Sequence, residues 1–480
     1  MTSPPADRRA LLPVAALCLG GLTVSLTQTL VVPIQGDLPR LLDTSAANAG
    51  WVVTVTLLAG AVSMVLSGRL GDMLGKRRVL LVTASLLVIG SVVAALGTSL
   101  VPVLVGRALQ GLAMGFIPVG IALIRQVTPP HLTNTAIATM SATFGVGGAI
   151  GLPLAAWTAQ TFDWHALFWM SAILATALLL AVVVLVPDAG DGVGGSVDWT
   201  GAVGLTTGLV AVLVGVSKGN DWGWGSGRTL GALLGGLVVL VVWGAHQLRR
   251  DDPLVDLRVT ARRPVLLTNL AALAVGFGMM AQAIVVPQLL QLPESTGFGL
   301  GQSLLAAGLW MAPGGLVMMA FSPLSGRLMT VVGPKLTLML GAGLLGLGYL
   351  LALGLMDAPW KLLVATSVIS AGVGIGYAAM PTLILGAVPM REAGAAVGIN
   401  ALMRSVGTTS AAAVMTTVLT SSTAPVTGAG GLVLPTQGAY QLCFLVGALA
   451  AFAGVALAAM VPHTHERVAA PAPVGAGART

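Results

Sequence analysis

Apolar residues in this chain come in unbroken runs of about 20, parted by short polar segments, with no strand-like alternation and no one-sided helical stripe. About 20 residues at 1.5 Å each cross the hydrocarbon core of a bilayer. Fourteen runs stand out: 10–33, 50–68, 78–98, 101–124, 136–160, 165–187, 198–217, 228–247, 264–290, 302–322, 335–356, 359–383, 395–419 and 438–462. The ten-residue alternating segments of a membrane barrel are not what is seen. The pattern predicts an all-α polytopic membrane protein with 14 transmembrane helices. The first run follows a short basic segment, as a signal peptide's would, but it is too long for such a peptide and has no small-residue cleavage site. It is therefore expected to be a span.

Composition agrees. The 480 residues are 56% hydrophobic and 8% charged, whereas soluble domains carry about 25% charged residues. That excludes a cytosolic enzyme, a secreted disulfide scaffold and a disordered tail protein. The 64 glycines suit helices that pack closely in lipid. Cys18 and Cys443 sit inside apolar runs and read as small hydrophobes. The 5 histidines show no metal or catalytic spacing, and there is no Walker-type glycine loop, so neither enzyme chemistry nor a cofactor or metal is expected. Usage rich in Arg, Ala and Gly points to a high-GC bacterium and its plasma membrane.

Charge sets orientation. With the amino terminus inside, 17 of the 23 Lys and Arg fall on the cytoplasmic side, 4 on the outer side and 2 within spans. Both termini are then expected in the cytoplasm. The net charge of +7 is used by topology, with no basic patch for nucleic acid. The tail His463–Thr480 is rich in Ala and Pro and is expected to be disordered.

The chain also repeats. Gly68, Leu70 and Gly75, after the second run, match Gly326, Leu328 and Gly333 after the tenth at an offset of 258. Gly111-x3-Gly115 is echoed by Gly372-x3-Gly376 at 261, and Gly147 by Gly407 at 260. This predicts two six-helix pseudo-repeats with two extra central spans: residues 1–190, an insertion over 191–260 with its cytoplasmic linker, and 261–480 with the tail. Repeated halves around a midplane site are the build of secondary transporters.

Two cations lie inside spans. An arginine in lipid costs at least about 2.5–3.5 kcal/mol unless it meets a polar cavity or a partner. Arg107, with Gln110 beside it, is expected to face a central cavity, the alternative being a side chain that snorkels to the headgroups. Arg404 shares a helix face with Asn400 four residues earlier, and snorkelling is the stronger alternative there. No acid occupies the centre of any span. A positive interior predicts small lipophilic substrates that are neutral or anionic, since a lipophilic cation would find no counter-charge. If protons are exchanged, Asp37, one turn past Pro33, is the first candidate, with a solvated loop position as the alternative. Met279, Met280, Met311, Met318 and Met319 could line an adaptable pocket or serve as packing filler.

Gly68-Arg69-Leu70-Gly71-Asp72-Met73-Leu74-Gly75-Lys76-Arg77-Arg78 resembles the signature loop of the major facilitator superfamily. Gly106-Arg107-Ala108-Leu109-Gln110-Gly111 resembles its second signature, and Gly147 to Pro153, with Gly151, more loosely resembles its antiporter helix-packing motif. The chain is similar throughout to the fourteen-span drug:proton antiporter branch. That resemblance implies a conformational latch formed by Gly68, Asp72, Gly75, Lys76, Arg77 and Arg78. It also implies proton exchange, and the substrate and proton pathway is expected to involve Arg107, Gln110, Asn400, Arg404 and Asp37. Read from the residues, the basic run could equally be positive-inside anchors, and Asp72 could pair with a cation or cap a helix. Thr330 replaces the acid in the second half. The branch usually has Leu-Asp-x-Thr in span 1; here Leu26-Thr27-Gln28-Thr29 stands in that context, with no acid between Asp7 and Asp37. A monomeric exporter of a drug, antibiotic or natural product is the leading expectation. A same-fold transporter or facilitator of an anionic metabolite comes second, and a membrane enzyme or receptor is remote.

Overall fold

The computed structural model describes residues 5–31, 34–188, 190, 192, 194–425 and 433–462. Pro33 and the tail His463–Thr480, both singled out above, lie outside them. The first half comprises α1 (Pro5–Thr29), α2 (Trp51–Leu74), α3 (Lys76–Leu96), α4 (Leu100–Leu112), α5 (Phe116–Val127), α6 (Pro130–Thr161) and α7 (His165–Leu185). Next come α8 (Trp199–Trp222) and α9 (Gly227–Arg249). The second half comprises α10 (Arg263–Gln291), α11 (Leu304–Val331), α12 (Gly333–Gly354), α13 (Pro359–Gly376), α14 (Ala379–Ala387), α15 (Ala393–Ser421) and α16 (Gln437–Ala459). A short antiparallel pair, β1 (Thr423–Pro425) and β2 (Val433–Pro435), joins α15 to α16.

Taking α4–α5 and α13–α14 as single spans, 13 described helices are long and apolar enough to cross a membrane. The segment expected as the remaining span is α15, which at 29 residues is long enough but carries Asn400, Arg404 and many Ser and Thr residues. Its polar positions are covered by protein, because α15 lies against α2 and α10 and buries both Asn400 and Arg404.

The signature segment turns out not to be a loop. Residues 68–74 continue α2, and α3 begins at Lys76, so the connection is Gly75 alone, with φ 96°. Gly333, its repeat partner, has φ 85° at the start of α12. Only a residue without Cβ adopts that backbone readily, and so the matched glycines are matched turns.

The two halves meet through two equivalent seams. On one, a Cβ at Gly68 would lie 2.2 Å from the Gly394 oxygen, and one at Gly398 would lie 2.3 Å from the Met64 oxygen, bringing α2 and α15 backbone to backbone. On the other, α6 and α11 approach at Gly326 against Thr135 and at Gly145 against Met318. Within the halves, Gly111 abuts the Thr56 carbonyl of α2, and the answering contact is Ser370 against Gly314 of α11. The structural register is therefore 258–259 residues, and the sequence match of Gly111 to Gly372 at 261 is displaced by about half a turn. Gly372 faces α12 instead, at the Gly341 oxygen.

The inserted pair covers the α2–α15 seam. Ala202, Leu205, Leu209 and Leu213 of α8 share a buried cluster with Leu58, Ala61 and Val65 of α2 and with Ile399 and Leu402 of α15. Asp198 caps α8 through the Gly201 N–H and accepts from Gln247 Nε2 at the end of α9 (2.8 Å). Burial alone would raise the Asp198 pKa. The hydrogen bonds from Gly201 and Gln247, with Arg250 and His246 nearby, outweigh it and hold the carboxyl below its ordinary range.

Two outcomes follow for purified protein in nanodiscs. Gly106→Val, whose new Cβ would sit 2.5 Å from the Gly90 oxygen, should lower Tm by an amount equivalent to about 1–3 kcal/mol. Gly231→Ala, facing open space, should change stability by less than about 0.5 kcal/mol. The depressed Asp198 pKa means its share of stability is complete above the unfolded carboxylate pKa of about 3.9 and is lost as pH falls through the lower folded value. The α8–α9 pair should therefore loosen only in strong acid, and Asp198→Asn should remove that transition from hydrogen-exchange profiles.

Candidate functional site

Asp72 sits near the end of α2 with 1% exposure, yet its partners lie 322 and 323 residues away. Oδ1 accepts from the Gly394 N–H (3.0 Å) and Oδ2 from the Ala395 N–H (2.9 Å), which are the first unpaired donors of α15. A carboxylate there satisfies two orphan N–H groups and meets the positive end of a helix dipole. Lys76 Nζ lies 3.4 Å from Oδ1, and it too is 1% exposed, so it is not a surface anchor. The residues expected to form a latch thus bridge the halves: Gly68 permits the approach, Asp72 makes the bond, and Gly75 turns the chain so that Lys76 faces back. Arg77 Nη2 donates to the Val183 carbonyl of α7 (2.8 Å), while Arg78 is exposed. Thr330, the counterpart of Asp72, donates to Gly326 O on its own helix (3.0 Å) and makes no such bridge. Arg125 at the end of α5 donates to the Leu385 carbonyl of α14, adding a second contact between halves at this end.

Arg107 neither lines an open cavity nor snorkels. It is 2% exposed, two turns into α4, and its Nε and Nη1 groups donate to three neutral acceptors. Nε donates to Val52 O (3.2 Å), and Nη1 donates to Thr27 O (3.1 Å) and Gln110 Oε1 (2.8 Å). Gln110 Nε2 donates to Ser91 Oγ (2.9 Å); Ser91 and Ser171 hydroxyls meet at 2.9 Å, and Ser171 and Thr27 hydroxyls at 3.0 Å. The ring closes through four helices, α1, α3, α4 and α7, and the Val52 carbonyl ties α2 to it through Arg107. Thr27, at the position where the resembled family carries its aspartate, holds two places in it.

Arg404 does not snorkel either. At 7% exposure, 11 residues into α15, its guanidinium lies 4.4 Å from the Tyr377 ring centroid, and Nη1 donates to Asn400 Oδ1 (3.0 Å). Asn400 Nδ2 donates to Asn269 Oδ1 (3.0 Å) on α10, leaving Asn269 Nδ2 buried without a protein partner. Among the described residues no carboxylate pairs with Arg107 or Arg404.

The remaining expectations divide. Gly147 and Gly151 press α6 onto α1 at Ser25 and Thr29, as a helix-packing motif would, and Pro153 lies within α6. Asp37 is apart from both arginine clusters, with a side chain 62% exposed and 3.9 Å from the guanidinium of Arg40. The methionines do not converge on one pocket: Met318 is buried against Gly145 and Met319 is exposed. Ser91, Ser171, Asn269 and Tyr377 were not singled out from the sequence. An asparagine inside an apolar run was the one usable signal, because serines in membrane helices commonly bond their own backbone.

Two helical halves that meet at a charged cap, with polar clusters enclosed in each and an apolar exterior, define a polytopic membrane protein of repeated-half build. The family model described as Major Facilitator Superfamily matches residues 17–412, and the chain belongs to that superfamily. It is 28% identical over 328 residues to the tetracenomycin C resistance and export protein of Streptomyces glaucescens, covering 68% of this chain and 60% of that one. It is also 28% identical over 385 residues to a probable actinorhodin transporter of Streptomyces coelicolor, covering 77% and 65%. The chain spans about half to three-fifths of the length of several curated relatives it matches. Among solved structures, a double-Trp mutant of the sugar symporter XylE shares the fold, with TM-score 0.66, 17% identity and coverage of 96% and 98%. This is a multi-pass protein of the bacterial plasma membrane, and the relatives named are transporters.

Asp72→Asn keeps one acceptor oxygen but turns an amide N–H towards the second α15 donor and leaves Lys76 without its counter-charge, so it should weaken the α2–α15 contact by about 1–3 kcal/mol. Thr330→Ala should be nearly silent. Spin-label distances across the seam and transport rates in proteoliposomes both read this, and equal losses in the two variants would contradict the asymmetry. Arg107→Ala strands the acceptors on α1 and α2, at about 1–3 kcal/mol for each group left unpaired. Arg107→Lys, lacking the planar fork, should recover little transport even where Tm recovers.

Proposed function

We propose that this chain is a monomeric secondary exporter of small lipophilic molecules of the drug or natural-product class, with 14 transmembrane helices and both termini in the cytoplasm. The supporting relatives are the tetracenomycin C resistance and export protein and the probable actinorhodin transporter just described. The halves are closed at the Asp72 end, the cytoplasmic end by the distribution of Lys and Arg, so the state seen is the one shut towards the cell interior. Releasing Asp72 from the N-terminus of α15 opens that end, and the turn at Gly75 carries the change into α3.

The observation that carries substrate class is the pair of buried arginines without carboxylates. Both arginines are enclosed, so they act on an occupant of the interior through their field, which repels a lipophilic cation and not a neutral or anionic lipophile. Proton exchange is the proposed coupling. Neither arginine cluster holds a group that titrates as a carboxylate, and Asp37 is solvated, so the buried acid left at the moving seam is Asp72. Facilitated passage of an anionic metabolite gains nothing beyond the same two arginines.

Everted vesicles with an imposed pH gradient test this. Acid-inside vesicles should accumulate a neutral naphthylamine dye, and ethidium should move far more slowly. Rapid ethidium uptake would overturn the charge argument, and uptake indifferent to the gradient would overturn proton coupling.

A further inference from the structure

The two seams between the halves are not covered alike. Along α2–α15, α8 fills the outside with Ala202, Leu205, Leu209 and Leu213. At the end opposite Asp72 it is bonded to α15, where Asn220 Nδ2 donates to Ala413 O (3.3 Å) and Thr417 Oγ1 donates to Asn220 Oδ1 (2.8 Å). Lys218 lies 5.5 Å from the Trp51 ring centroid. Along α6–α11 no described helix lies outside. Those helices touch at the Asp72 end, through Gly326 and Thr135, through a hydrogen bond from Ser322 Oγ to Ala138 O, and through Met318 and Gly145. Beyond Met318 they part, leaving a cleft of about 430 Å³ lined by Ile150, Pro153, Leu154 and Trp157 of α6 and Ala312 and Leu316 of α11.

We infer that this cleft is a binding site for the aromatic body of an uncharged lipophilic compound, entered sideways from the bilayer. Its volume lies within the ordinary range for small-molecule sites, about 300–1,000 Å³. Among its described lining residues the only polar side-chain atom is the Trp157 indole nitrogen, and they offer no partner to a charged headgroup. Ala312 and Leu316 stand 8 and 12 residues into α11, roughly 12–18 Å along the helix, at hydrocarbon depth. The cleft is continuous with the seam that must rearrange when the halves move, so an occupant is carried into the transport cycle. Trp157, 57% exposed, with Phe162 edge-on at 5.7 Å, presents a flat face that suits a planar ring system better than an acyl chain. The inserted pair thus makes access one-sided, by sealing the equivalent seam.

The inference deepens the exporter proposal, and its test separates the two. In the full chain with Cys18→Ala and Cys443→Ala, reconstituted in phosphatidylcholine nanodiscs, Ala312→Cys should react with pyrene maleimide and resist a membrane-impermeant sulfonated maleimide. Ala202→Cys, on the sealed seam, should react with neither. N-phenylnaphthylamine should slow the Ala312→Cys reaction roughly tenfold, and Ala312→Trp should raise the KM for its transport by a similar factor with kcat little changed. No labelling from the bilayer, or labelling that the dye leaves untouched because only lipid chains occupy the cleft, overturns the inference. Dye protection in a protein whose vesicles do not move the dye would sink export while leaving the cleft assignment standing. Dye transport without protection would do the reverse.

Discussion

A carboxylate of one half holds the helix terminus of the other, and the arrangement of the halves hangs on that contact. Asp72 is worth placing in a dry seam only because α15 begins there: two unpaired N–H groups and a dipole end stabilise its charge, with Lys76 alongside. The bond needs backbone proximity that Gly68 and Gly394 allow and any larger residue would block. Interaction and packing therefore specify each other. A contact built from one buried charge and a helix end is also separable, because α15 exposed to water would have its N–H groups hydrated and Asp72 its charge solvated. A rocking transporter requires a seam of that kind.

The interior of the first half is built on the opposite principle. Arg107 has no charged partner among the described residues; it bonds two main-chain carbonyls and an amide oxygen, and a chain of hydroxyls behind that amide extends the network to five helices. Neutral acceptors disperse the cation without fixing a counter-ion, and a closed ring of short bonds resists sliding of one helix past another. Each half can then move as a body while the change is concentrated at the seams. Arg404 repeats the theme less completely, with an aromatic face and an amide relay that ends on an unpaired donor.

The inserted pair breaks the twofold pseudo-symmetry. It fills one seam with apolar side chains and joins both its own helices and the linker through Asp198, Gln247 and the Val255 N–H. From there Asp252 pairs with Arg69 beside the Asp72 cap. An element outside the two repeats is thereby anchored to both sides of the contact between them.

Much of this was legible in sequence, because lipid imposes constraints that sequence must answer locally. Run length gave the helices, since a backbone in hydrocarbon has no other partner than itself. The repeat was readable where geometry admits only glycine, as at Gly75 and Gly333. Asp72 stood out as an acid beside a basic run, and Arg107 as a charge where charge is costly. What sequence could not supply was the other end of each bond. The partners of Asp72 are backbone N–H groups more than 300 residues away, which have no residue signature. The acceptors of Arg107 include two main-chain carbonyls, and so a cavity-facing side chain and a fully enclosed one look alike in a string of letters. The repeat register slipped at Gly111 and Gly372 for the same reason: abundant glycines match by chance, and only contacts show which pairs correspond. Helices were fixed by the solvent; their neighbours were decided by packing between segments that the chain order does not rank.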